Sequence, residues 1–101
     1  MTPTTTRQTY VVMYDISDDK RLRRVFRICL GYGDRLQYSV FRCNLTPTEL
    51  VQLRGRLGEV IHHREDQIVF VDVGPADGRG AGSFRAIGRP YRFEDQRAII
   101  V

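Results

Sequence analysis

The spacing of apolar residues along this chain alternates between the two-residue period of a strand and the 3.6-residue period of a helix. The segment from Tyr10 to Tyr14 is continuously apolar and aromatic and stops at Asp15, which is typical of a central strand covered on both faces. After Ser17, a predicted N-cap, apolar residues recur at helical spacing, and Gly31 with Gly33 ends the helix. The predicted buried stripe is Leu22, Val25, Phe26, Cys29 and Leu30. The pattern predicts a strand followed by an amphipathic helix.

The second helix has the strongest local signals. Thr46 at the N-cap, Pro47 at N1 and Glu49 at N3 form a capping box, with Leu45 and Leu50 at the positions of a hydrophobic staple. Its predicted buried stripe is Leu50, Leu53, Leu57, Val60 and Ile61. Between the helices, residues 36–43 alternate as a strand does, but the period fits one bent strand and two short strands equally.

The remainder of the chain predicts a strand, a connection and a terminal segment. Residues 68–73 are a further apolar strand, and the glycine-rich residues 74–83 are interpreted as a mobile connection. Short strand candidates follow at 84–87 and 98–101, and a terminal apolar strand can pair with a sheet edge, including that of a partner chain. We therefore divide one domain into a core at 1–73, with 1–9 flexible, a connection at 74–83 and a C-terminal strand segment at 84–101.

Length and cysteine content limit the class of protein. A chain of 101 residues has room for one domain with a modest core. Cys29 and Cys43 lie within apolar patterns without metal-ligand spacing, so we interpret both as reduced and buried, which favours a cytoplasmic location. The first nine residues lack the apolar centre of a secretion signal, and no stretch approaches the ~20 apolar residues of a membrane span. We expect neither targeting nor membrane anchoring.

The charge favours a polyanionic partner. The net charge is +4 with a pI near 9.5, and Lys20 is the only lysine, so nearly all cations are arginines. The guanidinium group binds phosphate oxygens in pairs. Cations cluster in the first helix, a pattern that fits an ordinary solvated face as well as a nucleic-acid contact. Candidate nucleic-acid-binding residues are Arg21, Arg24, Arg27 and Arg35.

Asp15 is the candidate catalytic and metal-binding residue. A carboxylate at the end of a buried strand could hold Mg²⁺ in water-rich coordination, although a single aspartate also fits a turn that hydrogen-bonds to backbone. A two-fold dimer would present two copies of Asp15 to one ion, which could polarise a phosphodiester while arginines such as Arg24 and Arg35 hold the backbone. His62 and His63 fit a helix end better than a metal site.

Two segments resemble a known family. They are YVVMYDISDDKR at 10–21 and GDRLQYSVF at 33–41, which look like the second CRISPR-associated core protein, the adaptation-module endoribonuclease. The likeness covers about 10–73 and includes LTPTEL at 45–50. Arg42 stands where an acidic residue is frequent in that family. The resemblance implies an α+β ferredoxin-like βαββαβ sandwich with an additional C-terminal strand.

The resemblance also implies partners and an activity. It implies a homodimer with terminal strands that can cross to the partner, Mg²⁺ held by Asp15 of both chains, and association with the CRISPR integrase, the first Cas protein, on protospacer DNA. One hypothesis is a Mg²⁺-dependent endonuclease acting on RNA or DNA. The alternative is a non-catalytic adaptor that clamps duplex DNA between integrase subunits through Arg21, Arg24 and Arg27. A generic RNA-binding module ranks below both, because its Lys/Arg-Gly-Phe/Tyr motif is absent, and a related toxin-like ribonuclease is a further alternative.

Overall fold

A computed structural model describes residues 6–91 of the chain. Four strands and two long helices alternate in the order βαββαβ, and a short helical turn follows the last strand. The elements are β1 Gln8–Asp15, α1 Asp19–Leu30, β2 Asp34–Gln37, β3 Val40–Leu45, α2 Pro47–Val60, β4 Gln67–Pro75 and α3 Arg79–Gly82.

The strands form one sheet in the order β2-β3-β1-β4, with every neighbouring pair antiparallel. Each of the two βα units therefore returns to the sheet with one strand left between, which is the split βαβ arrangement of the ferredoxin-like fold. The predicted fold class is confirmed, and β1 is a central strand. The strand predicted at 98–101 lies outside the described residues.

The core lies between one face of the sheet and helices α1 and α2. Apolar side chains of β1 and β3 on this face pack against the buried stripes of both helices. Phe41 at its centre is fully buried, and its ring lies 5.8 Å from that of Phe26 and 6.2 Å from that of Tyr14. The buried apolar residues are Val12, Tyr14, Val25, Cys29, Phe41, Cys43, Leu45, Leu53 and Leu57. Both cysteines are free and buried, as predicted.

Helix α1 begins one residue later than the sequence predicted. The N-cap is Asp18, whose carboxylate accepts a hydrogen bond from the amide of Arg21 at 2.9 Å. Ser17 does not cap the helix, because its amide and hydroxyl both donate to Asp66. The predicted stripe is otherwise correct except at its end, since Leu30 is 39% exposed.

The ambiguous segment at 36–43 is two strands. The chain reverses in a two-residue turn at Tyr38 and Ser39, so that Gln37 pairs with Val40. The backbone amide of Tyr14 donates to the carbonyl oxygen of Ser39 at 3.1 Å. This bond holds the β2–β3 turn against the end of β1.

Helix α2 begins as its sequence predicted. The Thr46 hydroxyl accepts from the amide of Glu49 at 3.1 Å, and the Glu49 carboxylate accepts from the amide of Thr46 at 2.9 Å. Pro47 occupies the first turn. The predicted stripe is confirmed, with Leu53 and Leu57 buried and the others packed against the core.

The glycine-rich segment 74–83 contains the end of β4 and a short helical turn. Strand β4 extends to Pro75, and α3 packs directly on β1, with Gly80 buried against Thr9. The glycine, which has no side chain, allows this close approach, a possibility that composition alone did not suggest.

Residues 84–87, a predicted strand, are not in a strand within the described part of the chain, residues 6–91. The backbone turns at Gly88 (φ +89°), and Phe84 and Tyr91 contact edge to face at 6.4 Å. Within residues 6–91, no helix has both the length and the apolar character needed to cross a membrane.

Candidate active site and nucleic-acid interface

The sheet face opposite the two long helices carries apolar side chains that the chain itself leaves partly exposed. Alternation along β1 places Val11, Met13 and Asp15 on this side, because Val12 and Tyr14 point into the core. Their partners on β4 include Val71 and Val69, which are 42% and 38% exposed. We call Val11, Met13, Asp15, Val69 and Val71 the open face.

Asp15 lies at the rim of the open face. It ends β1, pairs with Gln67 of β4, and its side chain is exposed. Of the nearby acids, Asp18 is occupied in the cap of α1, where the hydrogen bond from the Arg21 amide lowers its pKa. No group of three or more His, Cys, Asp or Glu side chains that could hold a metal occurs in residues 6–91.

Asp15 is therefore the exposed carboxylate at the end of β1. Mg²⁺ prefers oxygen ligands and keeps several waters, and one or two carboxylates usually complete its protein ligands. The exposed carboxylate of Asp15 therefore has the donor chemistry of a Mg²⁺ ligand.

Arg21 is engaged in an intramolecular ion pair. Its Nε donates to Oδ2 of Asp66 at 2.7 Å and its Nη2 donates to Oδ1 at 3.2 Å, with Glu65 3.4 Å away. The Asp66 side chain has no exposed surface, whereas that of Arg21 is 23% exposed. The guanidinium predicted to bind nucleic acid thus fastens α1 to the loop before β4.

Asp66 joins the two loops at the Asp15 end of the sheet. Besides Arg21, it accepts hydrogen bonds from the amide of Ser17 at 3.0 Å and from the amide of His62 at 2.8 Å. The Arg21 hydrogen bond first, and these amides next, hold the pKa of Asp66 far below its ordinary value. The sequence analysis missed Asp66. The pairing of Asp15 with Gln67 brings it beside Ser17, a contact across 49 residues that no local pattern reports.

Arg24 and Arg27 lie on an exposed side of α1. With Lys20 and Arg23 they fall at helical spacing on one face, and all four are exposed. Neither Arg24 nor Arg27 has an ion-pair partner in residues 6–91. We call these four residues the cationic face of α1.

Arg35 lies at a separate position, beside the β2–β3 turn. Its guanidinium carbon is 5.3 Å from the centroid of Phe26 and 5.5 Å from that of Tyr38. These are cation–π distances. A cavity of about 200 Å³ opens here, lined by Tyr14, Leu22, Arg23, Phe26, Arg35 and Tyr38.

Arg42 and His63 are two further residues that the sequence analysis singled out. Arg42, where an acidic residue was expected from the resemblance, is buried and its Nη2 lies 3.3 Å from Oδ2 of Asp34, its pairing partner on β2. His63 Nε2 lies 2.8 Å from the carbonyl oxygen of Gly58, near the end of α2. The histidine thus satisfies a helix-end carbonyl, as the helix-end interpretation requires.

The sheet order and the two helices packed on one sheet face define a ferredoxin-like α+β protein, with an exposed aspartate at the end of its first strand. The model of a family described as CRISPR associated protein Cas2 matches residues 8–78. The chain belongs to the Cas2 family.

Relatives and solved structures agree with this assignment. The chain is 38% identical over 92 residues to the CRISPR-associated endoribonuclease Cas2 of Geobacter sulfurreducens, covering 91% of this chain and 96% of the relative. It is 41% identical over 92 residues to CRISPR-associated endoribonuclease Cas2 3 of Synechocystis sp., covering 91% and 97%. Its fold is similar to the crystal structure of Streptococcus pyogenes Cas2 at pH 6.5, with a TM-score of 0.69, 34% identity and coverage of 79% and 99%.

Proposed function

We propose that the chain is a Mg²⁺-dependent endoribonuclease of CRISPR adaptation, acting as a homodimer with the two copies of Asp15 at one shared site. The observation that carries this proposal is the position of Asp15 at the rim of the apolar open face. The names of the relatives favour RNA as the substrate.

The open face favours a second copy of this chain as its cover. Val69 and Val71 are exposed on a sheet side that neither long helix covers, and two sheets that pack face to face bury such residues in a layer about 10 Å thick. A two-fold axis through this layer presents each open face to the other, so both copies of Asp15 belong to one interface. In such a dimer, each chain would contribute its exposed Asp15 carboxylate to one metal site.

In that arrangement, Asp15 of each protomer would hold Mg²⁺ directly or through water. When bound there, the ion would contribute Lewis-acid polarisation of the phosphodiester and activation of water. Arg24, Arg27 and Arg35 have accessible guanidinium groups that can bind phosphate oxygens and orient the strand. Arg21 acts differently, since its pairing with Asp66 fixes the loop that follows Asp15.

The test is cleavage of labelled single-stranded RNA by Asp15→Asn protein, with Asp19→Asn as the matched control. Both positions are exposed acids near the start of α1, but Asp19 belongs to the first helical turn. We expect Asp15→Asn to reduce Mg²⁺-dependent cleavage by at least ~100-fold, since it removes the ligand of an ion that supplies several kcal/mol. Asp19→Asn should retain activity. Equal activity of the two variants would refute the assignment, and light scattering that reports a monomer in the wild type would refute the shared site.

A second candidate function is the adaptor that bridges subunits of the integrase, the first Cas protein, and clamps protospacer DNA. The cationic face of α1 favours it, because its four cations are exposed and lie together at helical spacing, with no ion-pair partner for Arg24 or Arg27 in residues 6–91. If this function operates, Arg24→Gln with Arg27→Gln should weaken duplex binding and reduce the salt slope by about 2, one for each lost phosphate contact. Asp15→Asn should leave duplex binding and spacer acquisition unchanged.

A further inference from the structure

The cavity beside the β2–β3 turn combines apolar walls with cationic groups. Tyr14, Leu22 and Phe26 form its inner wall, and Arg23 and Arg35 bring two positive charges to it. Its volume of about 200 Å³ is sufficient for one planar heteroaromatic ring and too small for a folded segment of a partner. Positive charge beside an apolar slot is complementary to a base joined to a phosphate.

Tyr38 is the exposed ring of this cavity. It is 72% exposed at the tip of a two-residue turn, although tyrosine usually buries most of its ring. The turn is held in place by the bond from the Tyr14 amide to the Ser39 carbonyl. Tyr38 therefore presents an aromatic surface on a fixed support, the arrangement that single-stranded nucleic-acid binders use for stacking bases.

Arg35 is held in position by the two rings on which it lies. Its contacts of 5.3 Å with Phe26 and 5.5 Å with Tyr38 restrain the guanidinium, and no ion pair within residues 6–91 occupies its N–H groups. Its donors can therefore meet the oxygen or ring-nitrogen acceptors of a base, or a phosphate oxygen.

We propose that this cavity is a subsite for one unpaired nucleobase, which stacks on the Tyr38 ring, while the guanidinium of Arg35 beside that ring binds the base or its phosphate. A base inside a duplex has both faces stacked on its neighbours and its pairing edge in use, so the subsite would select single-stranded nucleic acid.

This inference rests on the proposed function and adds a substrate feature to it. Tyr14 lines the cavity and Asp15 is the next residue, on the opposite side of the sheet. Consecutive Cα atoms are about 3.8 Å apart, so a strand with one base in the cavity can pass around the end of β1 to the Asp15 carboxylate. The subsite would thus position the phosphodiester next to the bound nucleotide.

The experiment measures binding without Mg²⁺, so that cleavage does not contribute. Fluorescence anisotropy gives the Kd of a labelled single-stranded RNA for wild type, Tyr38→Ala and Tyr38→Phe, with Val51→Ala as a control for loss of an exposed apolar side chain, since Val51 is 70% exposed on α2. Thermal unfolding of each variant checks the fold, and the exposure of Tyr38 predicts little change.

We expect Tyr38→Ala to raise the Kd for single-stranded RNA by about fivefold to 150-fold, the range for loss of one stacked base. Tyr38→Phe and Val51→Ala should stay within about twofold, and an abasic strand or a duplex should bind wild type and Tyr38→Ala equally. Unchanged binding by Tyr38→Ala, or an equal loss for single strand and duplex, would overturn the subsite. Failure of the proposed function has a separate signature, which is persistent Mg²⁺-dependent cleavage by Asp15→Asn.

Discussion

Replacing Gly80 with alanine places a methyl group where α3 already contacts β1. A Cβ at this position would overlap the hydroxyl of Thr9 and lie 2.5 Å from the Thr9 Cβ and 2.8 Å from the carbonyl oxygen of Pro75. The Pro75 oxygen belongs to the backbone and the Thr9 Cβ to a central strand, so a rotamer change cannot relieve the overlap. Insertion of a methyl group into such a contact costs about 1–3 kcal/mol. For a domain of this size, the melting temperature should fall by about 4–8 °C per kcal/mol.

Gly82→Ala is the matched control, because a Cβ at Gly82 meets nothing within 4 Å. Alanine is favoured over glycine in a helix by up to about 1 kcal/mol, so the control should be neutral or slightly stabilising. The two substitutions make the same chemical change within one helical turn, and the structure predicts that only Gly80→Ala lowers the free energy of unfolding. Urea unfolding followed by circular dichroism gives both free energies. Equal stability of the Gly80→Ala variant and wild type would refute the packing of α3 on Thr9.

Two further predictions concern hydrogen-bonded acids and caps. The hydrogen bond from the Arg21 side chain is the main cause that holds the pKa of Asp66 below its ordinary value of 3.8. The ionised carboxylate therefore stabilises the fold above about pH 4. This stabilisation is lost as the pH falls through the depressed pKa of the folded protein. Asp66→Asn should therefore lower the melting temperature at pH 7 and flatten its fall below pH 4; an unchanged acid profile would contradict the bonding of Asp66. Thr46→Ala removes the acceptor for the Glu49 amide and should cost about 1 kcal/mol, measured by urea unfolding, whereas Thr48→Ala, exposed in the first turn of α2, should cost less than half as much.

Local sequence patterns predicted most elements because their causes lie within a few residues. The capping box of Thr46 and Glu49 needs only two residues three positions apart, and it is present as predicted. The apolar stripe of α2 needs only the helical repeat. Where a distant residue competed, the local prediction was wrong: Asp66 takes the amide and hydroxyl of Ser17, so Asp18 caps α1 instead.

The candidate site likewise has features that local sequence predicted and features that depend on distant residues. The position of Asp15 at the end of a buried strand made it a candidate site residue, and the abundance of arginine predicted a phosphate-binding surface. Whether each arginine is accessible depended on its partners. Arg21 pairs with a buried carboxylate 45 residues away, whereas Arg24, an exposed residue three positions further along the same helix, has no such partner in residues 6–91.

Periodicity, caps and local chemistry were enough to predict β1, both long helices, β4, the start of α2, the burial of both cysteines and the candidacy of Asp15. Three other features required the folded chain: the 36–43 segment is a hairpin, Gly80 lets α3 pack on β1, and Tyr38, Phe26 and Arg35 meet at one cavity. These features depend on which strands become neighbours. Strand pairing is set by the burial of apolar surface across the whole chain, which no short window of sequence contains.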